Sequence, residues 1–163
     1  MNTRRAIATT CTSARLFALS ILFGGSSAIV FAAITFVKNA TAQGMTVAEA
    51  ARYNAPTFIA YSKVTLALAI LLVLAEATEY FLSQVRPTVS QAVRYGSGLA
   101  CVAATLVFGA VIVPAMEKLL PELTRSALAY DAFHKLHHWS QVYFGCIILF
   151  ALIALIAPAF KKE

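Results

Sequence analysis

Charged side chains are scarce in this sequence. Only 12% of the 163 residues are Asp, Glu, Lys or Arg, whereas 60% are hydrophobic and the mean hydropathy is +0.77. Because a soluble domain carries about 25% charged residues, this composition excludes a water-exposed globule and favours a chain surrounded by lipid. The net charge of +6 comes from basic residues at the ends of apolar runs. There they favour contact with membrane lipids, and we expect no nucleic-acid partner.

Cysteine is also sparse, and several catalytic motifs are missing. Cys11, Cys101 and Cys146 are far apart and show no paired spacing, which argues against a disulfide framework or a zinc site. The sequence contains no HExxH or ExxH motif, no Gly-rich phosphate loop and no Ser-His-Asp arrangement. We therefore expect a non-enzymatic protein.

Long apolar runs are the feature that the sequence does have. The four runs extend over about residues 16–37, 58–82, 98–117 and 137–160. At about 1.5 Å per residue, each reaches or approaches the ~30 Å thickness of the hydrocarbon layer. Helices are expected because lipid cannot satisfy backbone polar groups. The sequence thus predicts an all-α integral membrane four-helix bundle, with residues 1–163 as a single four-span domain.

The connection between the first two runs contains a capping box, Thr-Val-Ala-Glu at 46–49. It predicts a short helix through about Asn54 that lies at the membrane interface. With four spans, both termini and the second loop share one side. That side holds seven Lys and Arg residues and the opposite side holds five, which favours an N-in, C-in orientation.

Small residues recur every four positions in two of the runs. Such ridges allow close approach of helices in lipid, so we predict that they face protein, although small residues are common in membrane helices generally. The predicted packing positions are Gly24, Ala28 and Ala32 in helix one, and Gly96, Ala100 and Ala104 in helix three.

Three ionisable residues fall within the second run. Glu76 and Glu79 are close enough to share a proton or hold a cation. Alternatively, they lie at headgroup level, where they are either solvated or paired with Arg86 or Arg94. Lys63 could face an acid such as Glu117 within the bundle, but we favour a side chain that extends to the interface.

The most polar and aromatic segment is FHKLHHWS, which leads into the fourth run. His134 is three residues before His137 and four before His138, so at least two imidazoles share a helix face. They could ligate a metal, a haem or a chlorophyll-type pigment, or they could cap the bundle at the interface. The histidines and the Glu76–Glu79 pair belong to opposite membrane faces, which excludes a shared di-iron site.

This segment also carries a resemblance to a known family. Phe133, Leu136, His137 and Ser140, with Pro114 as weaker support, resemble the pattern of the transmembrane-protein-205-like family. The resemblance implies a small four-helix membrane protein and no established reaction or cofactor. It also makes His137 and Ser140 the first positions to consider as a site.

Three functions follow as expectations from these features. The first is an accessory or stabilising subunit of a larger membrane complex, with lipids and other membrane subunits as partners. The second is a pigment- or haem-binding subunit of a photosynthetic or respiratory assembly. The third is a small transporter or ion-conducting protein that uses the intramembrane polar residues Lys63, Glu76, Glu79 and Ser140.

Overall fold

The computed structural model describes residues 3–82 and 87–160 of the chain. Within them the structure is all-α, and four helices are long and apolar enough to cross a membrane. This confirms the predicted class and number of helices. We label them α1 (Thr3–Ala42), α2 (Val47–Leu82), α3 (Val89–Glu122) and α4 (Ala127–Phe160).

Every helix is longer than the apolar run that predicted it, and α2 corrects the expected interfacial helix. The capping box is confirmed, since Thr46 N donates to Glu49 Oε2 at 2.8 Å and Glu49 N donates to Thr46 Oγ1 at 3.2 Å. The helix that it starts does not end near Asn54, however. It continues through Pro56, which removes one backbone donor without ending the helix. Apolar runs mark the part of a helix that suits lipid, whereas the helix itself ends where backbone hydrogen bonding ends.

Neighbouring helices run antiparallel. Arg4 near the start of α1 donates to the carbonyl of Leu82 at the end of α2, at 3.2 Å. Ser90 near the start of α3 donates to the carbonyl of Ala157 near the end of α4, at 2.6 Å. The starts of α1 and α3 and the ends of α2 and α4 therefore lie together at one end of an up-and-down bundle. We call this the charged end, and the other end, where α1 meets α2 and α3 meets α4, the cavity end.

The close-packed core lies nearer the charged end. Its fully buried side chains come from all four helices: Leu19 and Leu22, Leu72, Cys101, and Ile147. In lipid, where no hydrophobic force drives helices together, packing of this kind stabilises a bundle through van der Waals contact.

A π-helical turn, Ile21–Gly25, interrupts α1 near its middle. Tyr61 of α2 donates to the carbonyl of Ile21 at 3.1 Å, and its hydroxyl is 3.2 Å from Ser26 Oγ. A β-carbon added at Gly25 would lie 2.7 Å from the Tyr61 hydroxyl oxygen. Gly25 is therefore the residue that lets α2 approach the turn. A second π-helical turn, Phe108–Ile112, lies in α3.

The small-residue ridge of α1 does not pack within the chain. Gly24, Ala28 and Ala32 are exposed, and a β-carbon at Gly24 would meet no atom of the described residues within 4 Å. The prediction placed the ridge on the wrong face for intramolecular contact, because the inward face is the one that carries Leu19, Leu22 and Ser26. Contact of the ridge with another chain stays a prediction.

The predicted ridge of α3 is divided. Gly96 is exposed, Ala100 is half-buried and Ala104 is buried. Only the part of the ridge that lies deeper in the bundle therefore packs against other helices of the chain. Gly98, beside the ridge, lies closer to a neighbour, since a β-carbon there would be 3.5 Å from Glu76 Oε1.

Candidate functional site

Four charged side chains meet at the charged end, and we call them the charged cluster: Arg15, Glu76, Glu79 and Arg94. Arg94 Nη1 lies 2.7 Å from Glu79 Oε2, and Arg94 Nη2 lies 3.0 Å from Glu76 Oε2. Arg15 Nε lies 3.6 Å from Glu79 Oε1, the oxygen that also accepts a 2.7 Å hydrogen bond from Thr12. The cluster therefore joins α1, α2 and α3.

These charges are buried, so the stability of the bundle depends on their pairing. The four side chains are between 5% and 12% exposed. Two guanidinium groups balance two carboxylates, so the cluster carries no excess negative charge with which to hold a cation. Removing one member of a buried ion pair is strongly destabilising, because the other charge stays behind without a partner. The geometry thus suits a structural role, in which the ion pairs hold α1, α2 and α3 together at the charged end.

The structure shows the ion pairing that one of the two alternatives for the acidic pair proposed, whereas the position of the pair relative to lipid headgroups stays a prediction. Glu76 and Glu79 do pair with Arg94, as one alternative had it. Arg86, the other candidate partner, lies outside the described residues. The guanidinium of Arg94 also lies 4.3 Å from the centre of the Tyr95 ring, which places a cation over an aromatic face.

Arg15 is the member of the cluster that sequence reasoning missed. Its position before the first apolar run is typical of a flanking positive charge, but it lies within α1 and is buried. The available signal was its register, since Leu19 and Leu22 follow it by four and seven residues on the same helix face. An arginine in line with an apolar inward face requires an acidic partner on another helix.

Electrostatic attraction holds part of the cluster without well-aligned hydrogen bonds. Arg15 Nε and Nη1, both carboxylate oxygens of Glu76, and Arg94 Nε have no hydrogen-bond partner in the part of the chain that the structure describes. Arg94 Nη2 is close to Glu76 Oε2 but is not in line with it. The strongest single link of the cluster is therefore the one between Arg94 and Glu79.

A cavity of about 640 Å³ opens in the other half of the bundle. All four helices contribute to its wall, for example through Val30, Ile59, Phe108 and Ile148. Small-molecule sites in proteins commonly have volumes of about 300–1,000 Å³ and mostly apolar walls. By size and lining, this cavity belongs to that class.

Aromatic rings form the deepest part of the cavity. Phe108 and Phe144 are almost fully buried and meet edge to face, with ring centres 4.8 Å apart, and Phe58 meets Phe144 at 6.0 Å. Along α2, Phe58 lies about 30 Å from Glu79, at about 1.5 Å per residue. The cavity and the charged cluster are thus separate sites, as the sequence predicted for the histidines and the acidic pair.

Polar side chains line the cavity toward its outer end. His134 stacks on Tyr130 with ring centres 6.3 Å apart, and His137 stacks on Phe133 at 6.2 Å. Ser140 is buried and donates to the carbonyl of His137 at 2.7 Å. His134, His137 and Ser140 therefore line the same cavity from α4. A ligand in the cavity could contact all three.

Two predicted site residues are placed elsewhere. His138 is exposed, meets the edge of Trp139, and does not line the cavity. Lys63 is exposed on α2, and within residues 3–82 and 87–160 it forms no ion pair with Glu117. Among the same residues, no group of three or more His, Cys, Asp or Glu side chains is arranged to hold a metal ion.

No family model, curated protein or solved structure matches the chain. The resemblance to the transmembrane-protein-205-like family accordingly stays a prediction. What can be said of the site rests on its geometry.

Proposed function

We propose that this chain is a multi-pass membrane protein that takes up an amphipathic small molecule from the lipid bilayer into its cavity. The observation that carries the proposal is the cavity itself, with walls from all four helices and a volume of about 640 Å³. The charged cluster holds the opposite half of the bundle together, and the cavity half is left with room for a ligand.

The distribution of side chains in the wall supports a ligand with two unlike ends. The inner part is made of Phe58, Phe108, Phe144 and similar residues, against which an aliphatic chain would pack. Polar side chains such as His137 and Gln141 belong to the outer part. A bilayer supplies molecules of this kind, with an apolar tail and a polar head.

A pair of glycine variants tests the proposal. Gly145 lines the cavity, and a β-carbon there would meet no described atom within 4 Å. Gly145→Leu should therefore fill part of the cavity without displacing the backbone. Gly24 has equally free surroundings but lies outside the cavity wall, so Gly24→Leu is the matched control. Both changes remove a helix-interior glycine and so have similar effects on helix propensity.

The measurement is native mass spectrometry of protein released from membranes in mild detergent. We expect wild type and Gly24→Leu to carry a bound small molecule, and Gly145→Leu to lose at least nine-tenths of it. Equal occupancy in the two variants, or no bound molecule in any form, would overturn the proposal. A visible absorption band in the purified wild type would identify the ligand as a pigment or haem held by His134 or His137.

A second candidate, an accessory subunit of a larger membrane complex, is favoured by the exposed ridge of Gly24, Ala28 and Ala32. Small residues on an outward face suit close contact with a helix of another chain. The same two variants separate the candidates. If the ridge binds a partner, Gly24→Leu should abolish co-purification of that partner, and Gly145→Leu should leave it unchanged.

A further inference from the structure

We infer that the polar end of the ligand is an uncharged group with a carbonyl acceptor, as in a quinone, bound through the ring N–H of His137. This inference rests on the proposed function, because it specifies the chemistry of the molecule that occupies the same cavity. It follows from the charges, the hydrogen bonds and the ring stacking at the outer end.

Charge at the outer end of the cavity is balanced. Lys38 and Glu117 are the two charged residues among its described lining residues, if the histidines are neutral, and both are exposed. One positive and one negative side chain give no excess charge with which to select a phosphate, a carboxylate or an amine. A neutral headgroup that forms hydrogen bonds fits this surface best.

His137 forms a side-chain hydrogen bond to a neighbour one turn along α4. The side-chain nitrogen of Gln141 lies 3.1 Å from His137 Nε2. An amide nitrogen can only donate, so this bond requires the tautomer of neutral His137 in which Nε2 accepts and the ring proton is on Nδ1. No group in the described part of the chain accepts a hydrogen bond from Nδ1. His137 therefore presents a free N–H donor, for which a ligand oxygen is the complement.

His137 is exposed, and its ring packs against one buried neighbour. It stacks on Phe133, with 8° between the ring planes, and Phe133 is itself buried. One turn earlier, His134 stacks on Tyr130 with 12° between the planes. An oriented donor costs less to bind than a freely rotating one.

Ser140, which also lines the cavity, does not supply a second free donor. The hydroxyl hydrogen of Ser140 is used by the carbonyl of His137, so Ser140 offers a ligand only its lone pairs. A headgroup that brings an acceptor would complement the ring N–H of His137, and a quinone carbonyl oxygen is such an acceptor. The aliphatic tail of a quinone would then extend toward Phe108 and Phe144.

The test compares two probes that differ in their oxygens: decylubiquinone, and decylbenzene, which has a ring and the same ten-carbon tail but no carbonyl. Binding is measured on the full chain in detergent by native mass spectrometry. We expect decylubiquinone to bind about tenfold more tightly, the effect of about one hydrogen bond or 1.4 kcal/mol. His137→Phe keeps a stacked ring but removes the donor, and it should abolish the tenfold preference. His138→Phe is the matched control and should keep it.

The outcomes separate this inference from the proposed function. If both probes bind equally to wild type and His137→Phe, while Gly145→Leu excludes both, the cavity binds amphiphiles but the carbonyl assignment is wrong. If neither probe binds to wild type, the proposed function itself fails. Loss of the preference in His138→Phe as well would also contradict the assignment, because His138 does not line the cavity.

Discussion

The two halves of this bundle are built in opposite ways. At the charged end, Arg15, Glu79 and Arg94 connect three helices, and the adjoining core is closed around Leu19 and Leu72. At the cavity end the same helices leave about 640 Å³ between them. The contrast suggests that the two halves have different roles. The charged end stabilises the bundle, and the less closely packed cavity end holds a ligand.

Stability concentrated at one end is physically reasonable for such a protein. A cavity forfeits the van der Waals contacts of the atoms around it, and in lipid those contacts are a main source of helix association. Buried ion pairs are weak sources of net stability when compared with apolar packing, but they are costly to break. They therefore fix the register of α1, α2 and α3 at the charged end while the cavity end stays open.

Breaking the charged cluster should have the largest effect. Arg94→Leu leaves Glu76 and Glu79 without their shared cation and should lower the free energy of unfolding by about 3–5 kcal/mol. Unfolding is followed by circular dichroism in a detergent–SDS titration. The control is Arg125→Leu, at an exposed position near the cavity end, which should change stability by about 0.5 kcal/mol or less. Equal effects of the two variants would contradict a structural role of the ion pairs at the charged end.

Two adjacent isoleucines of α4 provide a test of the difference in packing between the halves. Ile147 is fully buried in the closed core, whereas Ile148 is half-buried and lines the cavity. Ile147→Ala should cost about 3 kcal/mol, because it opens a void among packed neighbours. Ile148→Ala enlarges a space that is already present and should cost about 1 kcal/mol or less. The same unfolding titration measures both, and a larger loss for Ile148→Ala would show that the cavity half is the better packed one.

The smallest expected effect lies at the π-helical turn of α1. Gly25→Ala would push against the Tyr61 hydroxyl and disturb its bond to the Ile21 carbonyl, for a loss of about 1 kcal/mol. Gly24→Ala, next to it, meets no described atom and should be neutral or stabilising by up to about 1 kcal/mol. If both variants are stabilising, Tyr61 does not hold α2 against the turn.

The sequence was sufficient for the large features of the fold because each depends on local pattern. The four apolar runs identified four helices, and the Thr46–Glu49 capping box correctly predicted a helix start, although the helix that begins there is α2 itself and not a separate short one. The helices nevertheless start earlier than the runs, because polar residues such as those at 47–57 also sustain helical hydrogen bonds. The separation of the histidines from Glu76 and Glu79 followed from counting spans and is present in the structure.

The sites themselves were less predictable, because they depend on which helix faces meet. The pairing of Arg94 with the acidic residues could be anticipated as one alternative, but Arg15 required the register of α1. The cavity could not be anticipated, since it is a space between four helices and no single segment encodes it. The small-residue ridge of Gly24, Ala28 and Ala32 satisfied a general rule of helix packing, yet Leu19 and Leu22 occupy the face that turns inward.

A high-resolution structure of the protein purified from its native membrane tests the division between the two halves most directly. We expect elongated density inside the cavity, extending from His137 to Phe108 and Phe144, together with an intact charged cluster at the other end. A bundle in which α1 closes onto α4 and no cavity remains would contradict the account.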